Sequence, residues 1–151
     1  MNKISLLYIF SFMLILVQCK SPKNTNEQNP ESNGEEIVTA SGLKYKIIKR
    51  GDGQKAEYGK TVLTHCILTL EDGTQVWTTR GAGGQIYPYT LGVDAVVKGF
   101  KEAISYMRVG DRFIFTLPGE LGYGEAGRPP IPPNATLIFD IEVIDITDPG
   151  S

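Results

Sequence analysis

Apolar and polar positions alternate in short runs through most of the chain after Gly42, and the period of that alternation predicts its elements. Leu43 to Lys49 (LKYKIIK) alternates loosely and reads as a strand, followed by a Gly51-Asp52-Gly53 turn. Thr61 to Leu70 (TVLTHCILTL) is rich in β-branched residues. The Glu71-Asp72-Gly73-Thr74 turn after it suits a hairpin, because Asp-Gly tolerates positive φ. Gln75 to Thr79 then returns antiparallel, Arg80 to Gln85 (RGAGGQ) forms a glycine-rich loop, and Ile86 to Leu91 makes another short strand. Arg112 to Leu117 and Leu137 to Ile146 alternate well and supply two more. One stretch has a helical period instead. Over Val96 to Met107, the residues Val97, Phe100, Ala103, Ile104 and Met107 share a face, with Lys98, Lys101 and Glu102 opposite. Asp94 is the expected N-cap, and Gly110 ends the element. The sum is an α+β domain, an antiparallel sheet of about five or six strands wrapped around one short amphipathic helix on its concave face.

The N-terminal segment follows a different rule. Ile4 to Val17 is apolar apart from Ser5 and Ser11, and Met1 to Lys3 gives it a basic start. Such a run is too short for a permanent membrane span but suits the core of a secretion signal. It ends Leu16-Val17-Gln18-Cys19, which resembles a bacterial lipobox, although a small residue is usual where Gln18 stands. The expectation is a signal over 1–18, a lipidated Cys19 opening a polar tether over 19–36, and a folded domain over 37–151. An ordinary cleaved signal, with Cys19 lost or free, is the alternative. Lys20 to Glu36 (KSPKNTNEQNPESNGEE) holds no apolar residue that could pack, which fits a tether. Multiple acyl chains on Cys19 would make a durable membrane anchor. Lys20 and Ser21, with no Asp, are compatible with the periplasmic side of the outer membrane.

Composition narrows the chemistry. The 151 residues are 41% apolar and 21% charged, with a formal charge of −2 and no block of Lys or Arg to mark a nucleic-acid surface. Two cysteines and one histidine cannot build a zinc site of the usual four-ligand kind within one chain, so metal catalysis is not expected. Nothing in the pattern points to pairing, and a monomer is expected.

A set of short motifs then occurs in order along residues 39–147. They are Gly51-Asp52-Gly53, Leu70-Glu71-Asp72-Gly73-Thr74, Leu91-Gly92, Val97-Lys98-Gly99-Phe100, Met107-Arg108-Val109-Gly110-Asp111, Leu121-Gly122-Tyr123-Gly124, and the Ile131 to Asp140 stretch IPPNATLIFD. In this the chain resembles the FKBP family of peptidyl-prolyl cis/trans isomerases. The resemblance implies rotation about the bond preceding proline in segments of exported proteins. That reaction breaks no covalent bond and needs no cofactor. It further implies that Phe100 forms the floor of a proline pocket, where tryptophan is commoner. The Tyr123 hydroxyl would reach a substrate carbonyl, and the Val97 N–H would be a backbone contact. Val96, Tyr87, Tyr89, Phe139 and Ile131 match or neighbour wall positions.

Departures from the family pattern bear on activity. A His-Tyr pair is replaced by His65-Cys66, and a Phe-Asp pair by Val76-Trp77, which removes the family's acidic residue. The loop Gly124 to Ile131 is one residue shorter than the commonest version. Cys66, Val76 and Trp77 are therefore altered substrate-binding positions. Trp77 either fills the space its smaller neighbours vacate, because interiors resist voids, or occludes the pocket and leaves a client-binding module without turnover. A receptor for small molecules is the third reading, because this family's groove also accepts macrolides. Cys66 beside His65 is not a nucleophile–base pair, because adjacent strand residues point to opposite faces; it reads as a small buried hydrophobe. Arg128-Pro129-Pro130 either contacts clients or merely stiffens its loop.

Overall fold

The computed structural model describes residues 34–150. The signal, Cys19 and nearly all of the tether therefore lie outside the described residues. In chain order the elements are β1 (Glu36–Val38), β2 (Lys44–Lys49), β3 (Thr61–Leu70), β4 (Gln75–Thr78), β5 (Tyr87–Thr90), α1 (Lys98–Ser105), β6 (Arg112–Leu117) and β7 (Leu137–Thr147). Short 3-10 turns at Gly119–Leu121 and Gly124–Ala126 lie between the last two strands. The strands form one sheet in the order β1-β2-β6-β7-β3-β4, with β5 also paired to β3, and every pairing is antiparallel.

The seven strands exceed the five or six expected, and β1 is the addition. Its three residues are too few to show a period, and Glu36 falls in the stretch assigned to the tether. Tertiary contacts make the strand. Ile37 faces Tyr45 of β2 and packs on the core, while Thr39 and Ser41 donate to the Glu102 carboxylate of α1 at 2.9 and 2.7 Å.

Helix α1 is shorter than its periodicity predicts. It spans Lys98–Ser105 rather than Val96–Met107, and its N-cap is Val97, with φ −61° and ψ 147°. Asp94 is not the cap; its Oδ2 accepts the Thr90 N–H at 2.6 Å and closes a separate turn. The periodicity reported burial, not helical backbone. Met107 is fully buried beyond the helix end, and Val96 and Val97 are half-buried before its start.

Strand alternation fills the space beneath this helix. Val62, Thr64, Cys66 and Leu68 of β3 point inward, as do Phe113, Phe115 and Leu117 of β6 and Leu137, Phe139, Ile141 and Val143 of β7. They meet Phe100, Ala103 and Ile104 of α1. Each large side chain so buried contributes about 1.5–3 kcal/mol. Gly99 sets how closely the helix approaches, since a Cβ there would lie 2.5 Å from Leu117 Cδ2 and 2.6 Å from its Cγ.

A buried carboxylate ties the far end of the domain. Asp111 is fully buried and accepts the N–H groups of Gly51 at 2.7 Å and Arg108 at 2.9 Å, with the Arg50 guanidinium 3.8 Å away. It joins the turn before β3 to the turn between α1 and β6. Asp111→Ala would leave those two N–H donors without an acceptor and Arg50 with only its contact over the Phe113 ring, and is expected to cost about 3 kcal/mol, measured by urea unfolding. Gly99→Ala is expected to cost about 1–3 kcal/mol by overpacking, and an unchanged unfolding midpoint would contradict the close approach.

Candidate functional site

A cleft of about 730 Å³ opens beside the N-terminal end of α1, and Phe100 lies among its lining residues. Phe100 is held from three sides in edge-to-face contacts, with ring centroids 5.3 Å from Tyr89, 5.3 Å from Phe139 and 6.2 Å from Tyr87. Such geometry adds about 0.5–1.5 kcal/mol per pair beyond burial. The ring is therefore a fixed floor.

The walls come from six separate parts of the chain. Leu68 of β3 and Val76 and Trp77 of β4 form one side; Tyr87 of β5 continues it. Ala95, Val96 and Val97 lead into α1, and Phe139 comes from β7. Tyr123 and the turn from Arg128 to Ile131 complete the rim. Trp77 stands edge-on to Tyr87, with centroids 5.3 Å apart, and is 38% exposed. It forms wall and leaves the cleft open.

Two of the sequence-selected positions do not line the cleft. Cys66 and Tyr89 are fully buried behind the wall, where Tyr89 supports the Phe100 ring. Cys66 Sγ lies 3.3 Å from Thr64 Oγ1, and its backbone N–H donates to Thr79 Oγ1 at 2.8 Å. His65 points to the other face, with Nδ1 3.2 Å from Thr79 Oγ1. Burial pushes the Cys66 thiol up to about 11, so at neutral pH it is a packed thiol rather than a nucleophile.

Other lining residues were not selected from sequence. Leu68 faces Trp77 across the β3–β4 pairing, and it lies two residues from Cys66 on the same face, so the strand period could have found it. Ala95 is brought in by a loop and carries no periodic signal, whereas Arg128, Pro129 and Pro130 are residues the sequence reads as either client contacts or loop stiffeners.

Polar groups in the cleft are few. The Arg128 Nη1 donates to the Tyr123 hydroxyl oxygen at 3.4 Å. That leaves the phenol's own proton available for a third group. The Val97 N–H precedes the helix and has no acceptor among the described residues, as is usual for the first amides of a helix. Burial raises the Tyr87 phenol above its ordinary value, with Asp94 adding to the effect, so it stays neutral. The arrangement provides desolvation, aromatic contact and a pair of hydrogen-bond donors.

Comparison with known proteins agrees with this geometry. The profile of the FKBP-type peptidyl-prolyl cis-trans isomerase family matches residues 52–144. The FKBP-type peptidyl-prolyl cis-trans isomerase FkpA of Aeromonas hydrophila is 35% identical over 147 residues, covering 90% of this chain and 53% of that protein. FK506-binding protein 1 of Yarrowia lipolytica is 38% identical over 107 residues, covering 70% of this chain and 98% of that protein. The crystal structure of FkpA from Escherichia coli superposes with a TM-score of 0.70 at 31% identity, over 78% of this chain and 54% of that one. The chain thus spans about half the length of these bacterial relatives and nearly all of the yeast one.

The raised Cys66 pKa has a measurable consequence. With the folded-state thiol at about 11, the thiolate fraction at pH 8 is on the order of one in a thousand. Iodoacetamide labelling of the Cys66 peptide, followed by mass spectrometry, should be negligible in the native chain and rapid in urea. The shift also carries a sign for stability. The buried neutral thiol is favoured below its unfolded pKa of about 9, so this group costs stability only as pH rises from there towards 11.

Proposed function

The chain belongs to the FKBP-type peptidyl-prolyl cis-trans isomerase family, and we propose that its Phe100 cleft rotates the bond preceding proline in extended segments of exported polypeptides. The cleft itself carries this reading. It is open, lined by aromatic and aliphatic side chains, and floored by a ring that other rings hold edge-on.

The reaction makes modest demands. Rotation about the prolyl bond meets a barrier of about 18–20 kcal/mol because the planar amide is stabilised by resonance. A twisted amide has lost that resonance and carries less charge separation. Stripping water from the amide therefore favours the twisted form over the planar one. Against Phe100, Tyr87, Val96, Val97 and Phe139 the proline ring would be shielded on most sides. Tyr123, its oxygen already accepting from Arg128, donates to a substrate carbonyl, and the Val97 N–H holds the backbone alongside. A thousandfold acceleration requires only about 4 kcal/mol of preference for the twisted state. No proton changes hands, which accounts for a working site without the family's usual acid where Val76 and Trp77 stand.

Place in the cell rests on the N-terminal segment. The apolar run Ile4 to Val17 followed by Cys19 supports export and lipid anchoring, with Cys19 as the modified residue and Lys20 to Glu36 as the spacer. The clients are then unfolded or extended chains in the bacterial envelope. The domain acts as a monomer facing the periplasm.

The isomerase reading is tested by the cis-to-trans rate of a panel of Xaa-Pro peptides with the purified chain. Tyr123→Phe is expected to lower kcat/KM about three- to tenfold, the size of one hydrogen bond. Phe100→Leu should lower it further while preserving the fold by circular dichroism. No acceleration from a folded chain would sink the enzyme reading. Anchoring is tested separately: Cys19→Ser should move the protein from the membrane fraction to the soluble one, and continued membrane association would argue against lipidation.

A further inference from the structure

We propose that Arg128 makes the cleft selective for substrates carrying a carboxylate side chain close to the proline. The inference rests on the isomerase reading of this same cleft and adds a substrate class to it.

Its basis is an imbalance of charge. Arg128 is the one charged residue among those lining the cleft; Asp94, close enough to add to burial in raising the Tyr87 phenol, lies outside the lining. Arg128 is also unspent. The five ion pairs among the described residues join Lys44 to Glu36, Arg50 to Asp111, Lys60 to Asp148, Arg80 to Glu142 and Arg112 to Asp140, and none involves Arg128. Glu125, three residues earlier on the same exposed loop, does not reach it within ion-pair distance.

Arg128 is exposed, and its loop and its contacts with Tyr123 set where the guanidinium stands. Arg128 and Ile131 exchange backbone hydrogen bonds at 2.9 and 2.6 Å, closing a tight turn. The loop is fixed further by the Asn134 N–H, which donates to the Gly124 carbonyl at 2.7 Å. The side chain then lies 5.7 Å from the Tyr123 ring centroid and hydrogen-bonds its hydroxyl. It stands at the rim where substrate enters and leaves. An extended peptide advances about 3.3 Å per residue, so a side chain within about two residues of the proline comes into reach of an arginine there. Opposite charge is favoured at that position and a lysine is repelled.

The chain's one tryptophan, Trp77, is part of the same wall and reports occupancy by its fluorescence. The experiment uses three otherwise identical proline peptides with Glu, Gln or Lys beside the proline. Both the isomerisation rate and the binding titration of Trp77 fluorescence are read. At low salt, Glu is expected to exceed Gln by up to about fivefold and Gln to exceed Lys by a similar factor, as for an exposed ion pair. The order should shrink towards parity in about 0.5 M salt. It should vanish in Arg128→Gln and reverse in Arg128→Glu. Equal preference for the three peptides in the native chain, or the native order surviving in Arg128→Gln, overturns the proposal. Absence of turnover with every peptide would overturn the isomerase reading, while the binding titration would still decide the charge preference. The salt series needs no variant, so a misfolded substitution leaves the test intact.

Discussion

The position of the Phe100 ring is the constraint on which the rest of the site depends. It sits in the first turn of an eight-residue helix, and so short a helix has little stability of its own. The sheet supplies what the helix lacks. Gly99 lets α1 settle directly on Leu117, while Tyr89 and Phe139 close on the ring from β5 and β7. Glu102, on the same helix, accepts hydroxyls from the strand-to-strand turn at Thr39 and Ser41. A helix pinned at both faces cannot rotate, and the floor of the cleft stays flat and apolar.

Strand alternation separates charge from this floor. Along β7 the sequence LIFDIEVI sends Leu137, Phe139, Ile141 and Val143 inward and leaves Asp140 and Glu142 on the outer surface. There they meet Arg112, at 2.9 and 2.6 Å through a bidentate contact, and Arg80. Arg80 also holds the Glu142 carboxyl below its usual range. The carboxylates are thus satisfied on the face remote from the cleft. What lines the cleft is apolar and aromatic surface with one guanidinium at its rim.

Such a site suits a reaction governed by desolvation. A pocket for proton transfer must keep an acid or base in place, and exchanging one residue abolishes it. A pocket that disfavours a planar, polar amide needs only shape and apolar surface. Val76 and Trp77 stand in the wall itself, while Cys66 packs behind it. The tryptophan meets Tyr87 edge-on and lines the cleft beside Val76.

Much of this was legible in the chain. Alternation marked the β6 and β7 stretches as strands and β-branched residues marked β3, while the family resemblance implied that Phe100, Tyr123, Val97 and Ile131 share a pocket. These features are local, because burial on one face writes its period into the strand. The pairing of β1 with β2, the true ends of α1 and the withdrawal of Cys66 and Tyr89 behind the wall were decided elsewhere. Each depends on contacts between segments far apart in sequence. Ile37 becomes a strand residue only when Tyr45 is opposite, and Asp94 caps nothing because the Thr90 amide reaches it first. Trp77 is wall rather than plug because β4 and β5 both pair with β3, which brings Tyr87 against its ring edge. Arg128 meets Tyr123 because backbone hydrogen bonds fold its loop back on itself, a geometry that side-chain periodicity does not record.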